Sequence, residues 1–138
     1  MKLASCAAAL AALALCAALS AHEPAAASGN AVPFTAPQAA LGAKAYLRSC
    51  ASCHGANLKG VTGPPLVGKT SGIAQQSVVE VYEYVSQQMP QTAPGSLSKA
   101  QYASILAFLL QKNGHKAGPR ALTESVATTS TATIVTGP

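Results

Sequence analysis

Cys50, Cys53 and His54 fall within five residues, in the stretch SCASCHGAN, and this Cys-x-x-Cys-His cluster leaves few chemistries open. The other two cysteines, Cys6 and Cys16, lie in a leading segment of a different character. There Lys2 is followed by an uncharged Ala/Leu-rich run, and small residues near 20 and near 28 offer cleavage sites. This is the pattern of a secretory signal peptide over residues 1–28, with an uncleaved membrane anchor as the alternative. Its removal leaves Cys50 and Cys53 as the cysteines of the mature chain.

Three chemistries suit the cluster. A redox dithiol would use Cys50 and Cys53 as attacking and resolving thiols, but it belongs in a βαβ context, and this chain has no strand pattern. A structural zinc site needs four ligands, and two cysteines with His54 are one short. The remaining histidines, His22 and His115, fall in an arm and beyond a helix end. The third chemistry is covalent haem attachment: both thiols add to haem vinyl groups, and the adjacent His54 becomes an axial ligand to the iron. Export agrees with it, because such attachment is made outside the cytoplasm. Met89 is the one methionine after Met1. It precedes Pro90 at the end of an expected helix, and Met/His ligation suits electron transfer. The alternatives are Met89 as core filler and His115 as the competing ligand, although its place after Gly114 suggests an exposed turn.

Composition supports a bound group. Hydrophobic residues make up 49% of the 138, yet aromatics are only 4%, tryptophan is absent and much of the remainder is alanine. Side chains alone would build a thin core. Charged residues are 9% with a net charge of +5, and the cations are scattered. With no basic run interleaved with aromatics, nucleic-acid binding is not expected, while a mild positive field could steer an acidic protein partner.

The expected fold is all-α, with three main helices around one haem. Residues 29–36 read as a linker or arm, 37–120 as the folded domain and 121–138 as a low-complexity tail, poorly ordered after about Glu124. Pro37 suits a first helical turn, and Ala43, Tyr46, Leu47 and Cys50 share a face of a helix over 38–50. The Gly/Pro-rich stretch 56–72 is loop. Val78, Val81, Tyr82 and Val85 mark a second helix over 77–87. Ser98 and Gln101 form a capping box for a third, stopped at Asn113-Gly114.

From Pro37 to Gly118 the chain resembles a class I cytochrome c. Gly42, and Tyr46 four residues before Cys50, match the family's N-terminal helix. Ile105 and Phe108 match the C-terminal helix that crosses it at a glycine. Gly63-Pro64-Pro65-Leu66 resembles the loop whose proline carbonyl accepts a hydrogen bond from the ligand histidine, which implies that Pro64 orients His54. A weaker similarity, in Met89-Pro90, Pro94-Gly95-Ser96-Leu97, Tyr102, Asn113-Gly114 and Ala117-Gly118, is to cytochrome subunits that accept electrons from periplasmic quinoprotein dehydrogenases. The tryptophan often found before the second helix in such chains is absent here. The resemblance implies a periplasmic mono-haem carrier with haem c on Cys50 and Cys53, and iron ligated by His54 and Met89. It would relay electrons between protein partners, such as a quinoprotein dehydrogenase and a terminal oxidase, and would meet a membrane through them unless the signal is uncleaved. The alternatives are a subunit of a dehydrogenase complex, or a gas-binding or peroxidatic protein if Met89 does not ligate.

Overall fold

The computed structural model describes residues 31–137; the signal-like segment, Cys6, Cys16 and His22 lie outside them. Helix α1 spans Ala36–Ser49. Thr35 caps it, its side chain accepting from the Gln38 N–H at 3.2 Å, and Pro37 occupies the first turn, where a missing N–H costs nothing. A single turn, α2 at Ala51–His54, follows directly. Helix α3 spans Val78–Gln88 and α4 spans Lys99–Lys112. Both begin with reciprocal capping boxes, Ser77 with Glu80 and Ser98 with Gln101, worth about 1 kcal/mol per cap. A last turn, α5, covers Glu124–Ala127. Among the described residues no strand forms, and no helix is long and apolar enough to cross a membrane.

The helices meet where α1 crosses α4. Gly42 is buried there, and a Cβ on it would fall on the Ser104 carbonyl. One turn along, the Tyr46 ring packs on Phe108, with centroids 5.4 Å apart and planes tilted by 49°. The Tyr46 hydroxyl donates to the Gly55 carbonyl at 2.7 Å, which ties α1 to the chain beyond α2. Burial, and then Cys50 beside it, push the Tyr46 phenol up to about 12. Ile105, Leu106, Leu109 and Leu110 complete the α4 contribution, and Val78, Val81 and Tyr82 add the face of α3.

Both ends of the described chain are more structured than their composition suggests. In the arm, Val32 and Phe34 are buried, and the Phe34 carbonyl accepts from the Gly118 N–H at 2.7 Å. The Gln38 side chain exchanges two hydrogen bonds with the backbone of Leu122. The expected disorder after Glu124 is not found. Residues 129–135 fold back as a strap beside the start of α3, with an isolated antiparallel bridge between Ser77 and Thr133. Backbone bonds Val78 N–H to Ala132 O and Ile134 N–H to Gln76 O hold it, and Ile134 and Ala127 are fully buried. The physical reason is long-range: three widely spaced apolar residues, Leu122, Ala127 and Ile134, reach the core while backbone bonds to Gln75–Val79 satisfy the strap.

His115 also differs from the exposed turn expected of it. Its Nε2 is enclosed without a partner, and burial holds the imidazole below its ordinary pKa, partly offset by the nearby Val135 backbone.

Two outcomes follow. In an isolated helix Gly→Ala is stabilising by about 1 kcal/mol, but backbone atoms that cannot move aside cost about 3 kcal/mol. Gly42→Ala should therefore destabilise by about 2 kcal/mol, read from chemical denaturation of the holoprotein; an unchanged midpoint would contradict the close crossing. For His115 the unfolded chain takes up a proton near pH 6.5 that the folded chain resists, so stability falls as pH drops below that value. Urea midpoints between pH 7.5 and 5 should decline in the wild type and decline less in His115→Gln.

Candidate haem site

The cysteines sit at the hinge between α1 and α2. Cys50 ends α1, its N–H bonded to the Tyr46 carbonyl at 2.8 Å, and its own carbonyl accepts from the N–H groups of Cys53 and His54 at 3.2 and 3.0 Å. One helical turn thus carries both thiols, three residues apart, on one side. Both are half-buried and neither is in a disulfide. Burial, and then the neighbouring Cys53, push the Cys50 thiol up to about 11. Dithiol exchange requires the opposite shift. Among the described residues no three His, Cys, Asp or Glu side chains converge as a metal cluster.

The Gly/Pro loop folds back on this turn. The Gly60 N–H donates to the His54 carbonyl at 2.8 Å, and the N–H groups of Val61 and Gly63 share the Cys53 carbonyl at 3.0 and 2.9 Å. This carries Pro64 to the imidazole, where His54 Nδ1 and the Pro64 carbonyl are 2.8 Å apart. A carbonyl can only accept, so the proton sits on Nδ1 and Nε2 keeps its lone pair for a metal. Gly63 makes the approach possible: a Cβ there would lie 2.9 Å from His54 Cε1 and 3.0 Å from Nδ1. The loop is anchored in turn by Asn113, whose Nδ2 donates to the Leu66 and Leu109 carbonyls, both at 2.9 Å.

Met89 is held by other elements. It is the last cap of α3, half-buried, with its N–H on the Val85 carbonyl at 3.1 Å. Its carbonyl accepts from the Tyr102 hydroxyl of α4 at 2.7 Å. His115 sits at the opposite end of α4, with its N–H on the Leu110 carbonyl. The structure therefore joins His54 to Pro64 directly and places Met89 on a separate support. Two residues that position these groups, Tyr102 and Asn113, read in the sequence as a core position and a helix stop. A buried Tyr or Asn needs polar partners, and that need was the available signal.

The donor set suits a covalently held haem: two unpaired thiols on one turn, an imidazole with a defined tautomer, and a thioether on a stiff Met-Pro step. The comparisons agree with this chemistry. A family model described as "Cytochrome C oxidase, cbb3-type, subunit III" matches residues 37–109, just over half of the chain. Among solved structures, the sulfane dehydrogenase SoxCD from Paracoccus pantotrophus matches with a TM-score of 0.58 and 30% identity over 65% of this chain. The chain corresponds to 50% of that SoxCD chain's length. No curated protein matches the sequence. The chain belongs to the c-type cytochrome family of cbb3-type oxidase subunit III, and it is an all-α, mono-haem cytochrome with covalently bound haem c that serves electron transfer.

Proposed function

We propose that this cytochrome relays single electrons between redox proteins in the periplasm, with haem c bound by Cys50 and Cys53 and its iron ligated by His54 and Met89. The observation that carries the reading is the 2.8 Å contact between His54 Nδ1 and the Pro64 carbonyl, which orients the imidazole and leaves Nε2 available. The haem supplies the one-electron ferric/ferrous couple. The protein's part is to hold both ligands through that change, so that little reorganises. His54 is fixed from behind by Pro64, and Met89 is fixed through its backbone at both N–H and carbonyl.

A dehydrogenase as electron donor is supported by the likeness to a sulfane dehydrogenase, and an oxidase as acceptor by the description of the family. The quinoprotein dehydrogenases suggested by the Met89–Gly118 motifs are a further donor class. Exposed cations flanking the Cys50–His54 stretch in the sequence, Lys44, Arg48 and Lys59, favour acidic partner surfaces. The signal-like residues 1–28 support export.

Optical spectroscopy of the purified holoprotein tests the ligand set. Wild type should show a low-spin ferric spectrum with the far-red methionine–iron band and should resist carbon monoxide when reduced. Met89→Ala should lose that band and bind carbon monoxide rapidly. Rapid binding by the wild type would replace this reading with a gas-binding or peroxidatic one. Gly63→Ala tests the histidine side: by crowding the imidazole it should lower the yield of correctly ligated holoprotein several-fold, whereas full yield with an unaltered spectrum would show that the ring has room to shift.

A further inference from the structure

Tyr102 has more to do than fill the core between α3 and α4. It is 3% exposed and lies in the first turn of α4. Its hydroxyl donates to the Met89 carbonyl at 2.7 Å and accepts from the Leu97 N–H at 3.3 Å. A single oxygen thus pins both ends of the loop 89–97. Between those ends the loop has little else to hold it. Residues 91–96 are all exposed, and the internal bonds are two short turns, Ala93 N–H to Pro90 O and Ser96 N–H to Ala93 O. The neighbouring Tyr82 makes a superficially similar bond, donating to the Lys99 carbonyl at 3.4 Å, but that bond joins α3 to α4 and does not touch the loop.

We infer that Tyr102 is the positioning residue for the sixth ligand: its two hydrogen bonds keep Met89 aimed at the iron, and their loss makes that ligand exchangeable. The inference rests on the reading that Met89 ligates. It follows from how little else restrains the loop. Two free torsions, about Cα–Cβ and Cβ–Cγ, place the Met89 sulfur relative to its backbone, so a displaced backbone readily carries the thioether out of position. With the hydroxyl gone, the Met89 carbonyl and Leu97 N–H can turn to water, and the exposed loop gains conformations in which the sulfur has left the iron. A Phe at position 102 keeps the ring packing, so the effect would come from the two hydrogen bonds.

The experiment compares wild-type, Tyr102→Phe and Tyr82→Phe holoproteins. Carbon monoxide association with the ferrous form should accelerate about tenfold in Tyr102→Phe, the size expected for losing a two-bond anchor. The pH at which the ferric far-red band disappears should fall by about one unit, the same factor expressed as a midpoint. Tyr82→Phe should lower thermal stability while leaving both ligand readouts within about twofold of wild type, inside the span of one weak hydrogen bond. Equal ligand exchange in wild type and Tyr102→Phe, or an equal acceleration in Tyr82→Phe, overturns the inference while leaving Met89 as ligand. Rapid carbon monoxide binding by the wild type overturns the ligation itself. A second measurement needs no variant. Coupling is reciprocal, so displacing Met89 from ferric wild type with imidazole should speed hydrogen exchange at the Leu97 amide. Unchanged protection there would refute the role of Tyr102.

Discussion

The contact between the backbones of α1 and α4 at Gly42 governs where everything else can sit. Because no side chain separates Gly42 from the Ser104 carbonyl, the two helix axes are held at a distance that packing alone would not give. Cys50 lies at the end of one helix, and Tyr102 and Asn113 near the two ends of the other. Tyr46 and Phe108, packed ring against tilted ring beside the crossing, fix the rotation of the helices about each other. One close approach therefore sets the thiol-bearing turn, the anchor of the methionine loop and the anchor of the proline loop in a single frame.

Within that frame the two proposed iron ligands are held in different ways. His54 is restrained through its side chain, by a direct bond to Pro64 and by the absence of a Cβ at Gly63. Met89 is restrained through its backbone, by α3 on one side and Tyr102 on the other. The difference follows from chemistry. An imidazole has a second nitrogen by which it can be gripped, whereas a thioether offers no donor and only a weak acceptor.

The residues that chemistry dictates were legible in the sequence. Cys50, Cys53 and His54 stand out by a spacing that suits attachment of a porphyrin, and Gly42, Tyr46 and Phe108 through the resemblance to class I cytochrome c, with the structure placing them at the helix crossing. Ser98 with Gln101 announced α4 through a purely local rule, and the box is present with both halves made. What stayed hidden depends on distant partners. Phe34, Leu122 and Ile134 lie in short segments too irregular in composition for a periodicity to reveal that they reach the core. The α2 turn is too short to carry a pattern. Tyr102 lies on an apolar helix face, and nothing in its neighbours says that its hydroxyl meets a carbonyl thirteen residues back.

The strap at 129–135 has a consequence for how the domain comes together. Its partners at Gln75–Val79 are made long before it during synthesis, and the bridge from Ser77 to Thr133 closes a loop containing α3, α4 and α5. Such a distant contact forms slowly, because the chain entropy of closure is lost before the contact contributes anything. The start of α3 and the buried seat of Ile134 are therefore completed late. Until then the N–H groups of Val78 and Val79 lack their partners at Ala132 and Ser130 and the apolar seat of Ile134 stands open, and the time spent in that state bears on how much of the protein survives to maturity.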